Sequence, residues 1–62
     1  MNRALRTRFF KVFANLPIPE RRNPIAVIDE QPMSWFVCWL EIDNGTEKGQ
    51  EILEYLDELK LI

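Results

Sequence analysis

All four prolines of this 62-residue chain fall between positions 17 and 32, and they prevent it from forming one continuous helix or one long strand. A proline ring locks φ, removes an amide donor and clashes with the preceding helical turn, and it pushes the residue before it toward extended backbone. Pro17 and Pro19 therefore end any helix that starts near the N-terminus, and the stretch from Pro17 to Pro24 reads as a stiff connector. Pro24 and Pro32 bracket a short extended segment. The 30 residues after Pro32 contain no proline and are free to be helical.

Before Pro17, Leu5, Phe9, Val12, Phe13 and Leu16 recur at helical spacing and fall within an arc of about 100° at 100° per residue. The pattern predicts an amphipathic helix over residues 3–15 with Asn2 as its N-cap. Arg6 and Arg8 flank the apolar stripe, where their stems can lie along apolar surface while the charges stay in water. Phe10 lies outside the stripe, one turn from Arg6 and close to Arg3.

Ile25 to Ile28 is a short run rich in β-branched residues, followed by the turn-like Asp29, Glu30, Gln31 and Pro32. It reads as a strand. A lone strand leaves its peptide groups unpaired, so it needs a partner: either residues near Met33, in a small hairpin, or the same strand of a second copy.

Ser34 can cap a helix over residues 35–44, and Gly45 stands where a left-handed residue would end it. A strand competes for the same residues, because Trp35, Phe36, Val37, Cys38 and Trp39 all favour β structure and apolar residues occupy both alternating faces. As a helix, the segment is apolar around most of its circumference and must be central or at an interface. Trp35 and Trp39 share one side of it with Cys38 and Ile42.

Thr46 can cap a last helix over residues 47–59, with Glu47 at the positive end of its dipole. Ile52, Leu53, Leu56 and Leu59, extended by Tyr55, form its apolar face. Gly49 falls on that face, where it costs roughly 1 kcal/mol relative to alanine, so another backbone is expected to approach there. The predicted architecture is α+β: one small domain over residues 1–62 with an N-terminal helix, a short strand or β-hairpin, and two C-terminal helices.

A chain of this size buries little core and usually needs a staple. Cys38 is the single cysteine, so no intrachain disulfide can form, and its neighbours Val37 and Trp39 mark it as a buried small hydrophobe. There is no histidine, and one cysteine cannot build a zinc site, so no metal or cofactor is expected. Oligomerisation remains as the expected source of extra stability. No apolar run is long enough to span a bilayer, and the start lacks a secretory h-region, which points to a cytoplasmic protein. The arginine-rich, acid-free first 13 residues also have the composition of an organellar transit peptide, but Phe9, Val12 and Phe13 read better as a packing face.

Charge is divided along the chain. Residues 1–24 carry Arg3, Arg6, Arg8, Lys11, Arg21 and Arg22 against Glu20 (6 − 1 = +5), and residues 25–62 carry two lysines against nine acids (2 − 9 = −7). Such asymmetry points to self-association or to an anionic partner for one end. Arg3, Arg6 and Phe10 form a basic patch with an aromatic insert, a composition that suits phosphate contact and stacking. Glu47, Glu51, Glu54 and Glu58 project within about 60° of one another, opposite the leucine face of the last helix. Their plainest role is a solvated face, and their functional one is a surface for a basic partner, including the arginine face of another copy. Trp35 and Trp39 are core candidates that would anchor an interface if exposed. No histidine, phosphate-binding glycine loop or nucleophile beside a base is present, and no enzymatic activity is expected. These features together predict a small protein-interaction module, a homodimer with a regulatory or adaptor role.

From Ile25 onward the order of strand, short helix, turn and longer helix resembles the ribbon-helix-helix repressors. The likeness covers about 38 residues and rests on element order. It implies a dimer formed through paired strands and a small DNA-binding regulator as the alternative function. Where that family presents polar or basic strand residues to DNA, this chain has Ile25, Ala26, Val27, Ile28 and Asp29.

Overall fold

The computed structural model describes residues 2–62 and shows an α+β arrangement in which a β-hairpin and three helices enclose one core. Helix α1 (Arg3–Ala14) is capped by Asn2, whose side-chain oxygen accepts from the amides of Ala4 and Leu5 at 2.9 and 3.2 Å. Asn15 is its C-cap. The connector is not featureless: Ile18–Arg22 forms a 3-10 turn that packs against the second long helix.

Strand β1 (Pro24–Ile28) pairs antiparallel with β2 (Gln31–Ser34) in the same chain, with Ala26 opposite Met33 and Ile28 opposite Gln31. Of the two partners open to the strand, β1 therefore takes the hairpin. Ala26 and Ile28 share a face by strand alternation and Met33 pairs directly with Ala26, so all three face the core while Val27 faces solvent; a register shift lies before them, between Pro24 and Ala26. The two-residue turn holds Asp29 at φ 52° and Glu30 at φ 66°. Two positive φ angles are what a type I′ turn requires, and its usual second residue is glycine. A left-handed residue bearing a Cβ costs about 1 to 2 kcal/mol, less for aspartate than for glutamate. Glu30→Gly is therefore expected to raise the unfolding free energy by about 0.5 to 1 kcal/mol after the extra unfolded-state freedom of glycine is subtracted. A thermal melt checks this, and an unchanged or lower midpoint would contradict it.

Helix α2 (Trp35–Asp43) and helix α3 (Glu47–Glu58) form the largest helix pair. The helical reading of residues 35–44 holds, with Ser34 Oγ accepting from the Val37 amide at 3.2 Å and Gly45 at φ 66° just past the Asn44 C-cap. The Thr46 amide then donates to the Glu41 carbonyl at 3.2 Å, closing the helix end in a Schellman arrangement. The Thr46 hydroxyl donates to the Glu41 carboxylate at 2.6 Å and accepts from the Gly49 amide at 2.9 Å, so one residue both ends α2 and starts α3. Helix α3 ends the same way, with Lys60 at φ 59° and the Leu61 amide bonded to the Leu56 carbonyl. Leu59, expected on the apolar face, is instead the C-cap and is exposed, because the helix closes one residue earlier than its leucine spacing implies.

Phe9, Cys38, Ile42, Ile52, Leu53 and Leu56 are fully buried at the centre. Leu5, Ala26, Ile28, Met33 and Trp35 complete the core, so each of the hairpin and the three helices contributes to it. No helix among the described residues is long and apolar enough to cross a membrane.

Candidate interaction surface

An apolar helix that every neighbour covered would be silent, but α2 is covered on one side only. Trp35, Cys38 and Ile42 point into the core, whereas Phe36 is 50% exposed and Val37 and Leu40 are each 40% exposed. At 100° per residue, Phe36, Leu40, Asn44 and Val37 lie within an arc of about 100°, and none carries a charge. The helix is central on one side and unpartnered on the other.

A ladder of rings joins this surface to the core. Phe9 packs at 6.0 Å from Phe13, Phe13 at 6.0 Å from Trp39, and Trp39 at 6.2 Å from Phe36, all with nearly parallel planes. Trp35 sits 5.9 Å from Phe9 and is buried. The two tryptophans thus have different situations: Trp35 is core, while Trp39 is partly buried, below the exposed Phe36. Phe36, Val37 and Leu40 are exposed apolar side chains that sequence reasoning did not single out. The signal for them was the apolar circumference of the helix, which says that some side is exposed or contacted without saying which.

Where α2 begins, the 3-10 turn lies against it, tied by the Trp35 amide donating to the Asn23 carbonyl at 3.3 Å. Between the two is an open cleft of about 380 Å³ lined by Ile18, Arg21, Arg22, Ser34 and Phe36. The Arg21 guanidinium lies 4.5 Å over the Phe13 ring, which fixes its position at the cleft wall.

The basic patch of α1 is only partly available. Arg6 lies 4.7 Å over the Phe10 ring and 4.0 Å from the Asp43 carboxylate, and Arg8 pairs with Asp57 of α3 at 2.5 Å. Phe10 is itself partly buried, edge-on to Phe9 at 5.7 Å. Arg3 is exposed. Arginines of α1 thus meet acids of α2 and α3 within one chain, along the seams where the helices dock. Glu47, Glu51, Glu54 and Glu58 all face solvent, and among the described residues none forms an ion pair; Glu54 accepts from the Gln50 side chain at 2.9 Å. The structure therefore groups Arg6 with Phe10 and Trp39 with Phe36, and leaves the glutamate face on the far side of α3 from its buried leucines.

Cys38 is fully buried, and that burial pushes its thiol up to about 11. At neutral pH it stays protonated and packs as an apolar side chain, so it offers no nucleophile. Among the described residues no group of histidine, cysteine and acidic side chains could hold a metal ion. Comparison with protein-family models, with curated proteins and with solved structures finds no match to this chain.

Proposed function

We propose that the chain is a small protein-interaction module that forms a homodimer through the outer side of α2 and regulates or bridges another protein. The observation that carries this reading is the exposed, uncharged strip of Phe36, Val37 and Leu40 on a nine-residue helix whose other side is fully used. A two-fold interface brings the same residues of both copies together, so a face of one charge repels its own image. The arginines of α1 and the glutamates of α3 are such faces. The strip on α2 is not, and burying it removes apolar area from water at roughly 25 cal/mol per Å².

Light scattering after size-exclusion chromatography tests this. A dimer is expected whose mass is the same at about 50 mM and about 500 mM salt, because an uncharged contact is insensitive to screening. Leu40→Glu is expected to yield a folded monomer, since the side chain is already exposed and the substitution opposes two like charges only in the dimer. A wild-type monomer at up to about 100 μM would overturn the dimer.

A further inference from the structure

We propose that the cleft between the 3-10 turn and the start of α2 binds an acidic, aliphatic peptide segment of a partner protein. The cleft shares Phe36 with the strip proposed for self-association, but Ile18, Arg21, Arg22 and Ser34 lie outside that strip and Val37 and Leu40 do not line the cleft, so the inference goes beyond self-association.

Charge comes first. Arg6 and Arg8 each have an acid within reach, whereas among the described residues Arg21 and Arg22 have none. The neighbouring acid, Glu20, already accepts from the Asn23 side chain at 2.8 Å. Arg21 and Arg22 thus border one cleft with no ion pair among the described residues. A carboxylate is the acceptor whose two oxygens match the fork of a guanidinium, and Arg21 is held ready for it by its stacking on Phe13.

The walls supply the second half of the specificity. Ile18 is 69% exposed and Phe36 is 50% exposed, and both line the same cleft as the arginines. A simple anion would leave these apolar walls wet, and a purely apolar ligand would leave the guanidiniums unpaired. A carboxylate close to an aliphatic side chain satisfies both. An extended peptide turns side chains i and i+2 to the same face, about 6.6 Å apart, so Asp or Glu two residues from Leu or Ile covers the cleft with a three-residue segment. The volume agrees, since about 380 Å³ is at the small end of ligand sites. Ser34, the N-cap of α2, also lines the cleft, so the positive end of that helix adds to the attraction for an anion.

The test is fluorescence anisotropy with a fluorescein-labelled octapeptide of sequence Asp-Ser-Leu-Ser-Asp-Ser-Leu-Ser, which sets aspartate and leucine on one face when extended, titrated with wild-type protein and with the Leu40→Glu chain. Using both separates failure of the cleft from failure of the dimer. Saturable binding to both is expected, weakening several-fold between about 50 mM and about 300 mM salt. Arg22→Glu, at an exposed position, is expected to lower affinity at least about tenfold while circular dichroism stays unchanged, and Arg22→Gln gives a milder loss should the reversal disturb folding. Replacing the leucines of the peptide by serine, or its aspartates by asparagine, is expected to lose binding to a similar degree. Absence of saturable binding would overturn the proposal. So would equal competition by inorganic phosphate, which would mark an unselective anion site. Loss of self-association in Arg22→Glu would also overturn it, because it would assign the cleft to the exposed Glu58, Leu59 and Leu61 of a second copy.

Discussion

Gly49→Ala is expected to lower the unfolding free energy by about 3 kcal/mol, although alanine is the better helix former by about 1 kcal/mol. An added Cβ would stand 2.6 Å from the Glu41 carbonyl oxygen, 2.9 Å from its carbon and 3.1 Å from the Ile42 Cα. These are backbone atoms inside α2, so no side-chain rotation relieves the overlap and the two helices must separate. Separation opens the contact between Ile42 and the buried Ile52, Leu53 and Leu56, and it stretches the hydrogen bonds through which Thr46 joins Glu41 to Gly49. A domain of this length has a total stability of about 3 to 9 kcal/mol, so the loss ranges from a third of it to all of it. Urea titration followed by tryptophan fluorescence measures the change. A midpoint equal to or above that of the wild type would mean that α2 and α3 do not meet at this distance.

Phe9→Ala is expected to cost about 3 to 5 kcal/mol. Phe9 is fully buried, and the rings of Phe10, Phe13 and Trp35 lie 5.7 to 6.0 Å from its own. Removing it leaves a cavity where α1 meets the start of α2, and the surrounding rings are too constrained by one another to collapse into it. The helix would then be held by Leu5, the partly buried Val12 and Phe13, and ion pairs of Arg6 and Arg8 that are exposed and contribute at most about 1 kcal/mol each. Loss of helical circular dichroism at room temperature is the expected signature. A cost below about 1 kcal/mol would show that α1 contributes little to the core.

Gly49 was legible as a close-approach site because a glycine on the apolar face of a helix is otherwise only a cost. Phe9 was legible as core from its place in the stripe. Neither residue by itself told which neighbour it would meet, since spacing along one helix carries no information about the element laid against it.

Other features divide along the same line. Asn2, Ser34 and Thr46 cap helices as expected, because capping is a bond between a side chain and amides two or three residues ahead, and all of its participants are adjacent in the chain. Gly45 ends α2 for an equally local reason. The strand at Ile25 to Ile28 was recognisable from β-branched residues between prolines. Its partner was narrowed to two, a hairpin near Met33 or a second copy, because Asp29 and Glu30 read as a turn but lack the glycine that marks a type I′ hairpin. The hairpin closes nevertheless, and the burial of Ala26, Ile28 and Met33 in the shared core offsets the strain in its turn.

Helix α2 marks the boundary most clearly. Ser34 and Gly45 marked where it would start and stop as a helix, although its residues also suited a strand, and its composition showed that it had more apolar surface than one neighbour could cover. Which side would stay exposed depended on where α1, α3 and the hairpin came to rest. Their placement took Trp35, Cys38 and Ile42 inward and left Phe36, Val37 and Leu40 outside, and it folded the 3-10 turn back so that Arg21 and Arg22 border a cleft. Caps, turns and periodicity act over a few residues and can be read from neighbours in the chain; exposure and clefts arise from surfaces brought together across the whole of it.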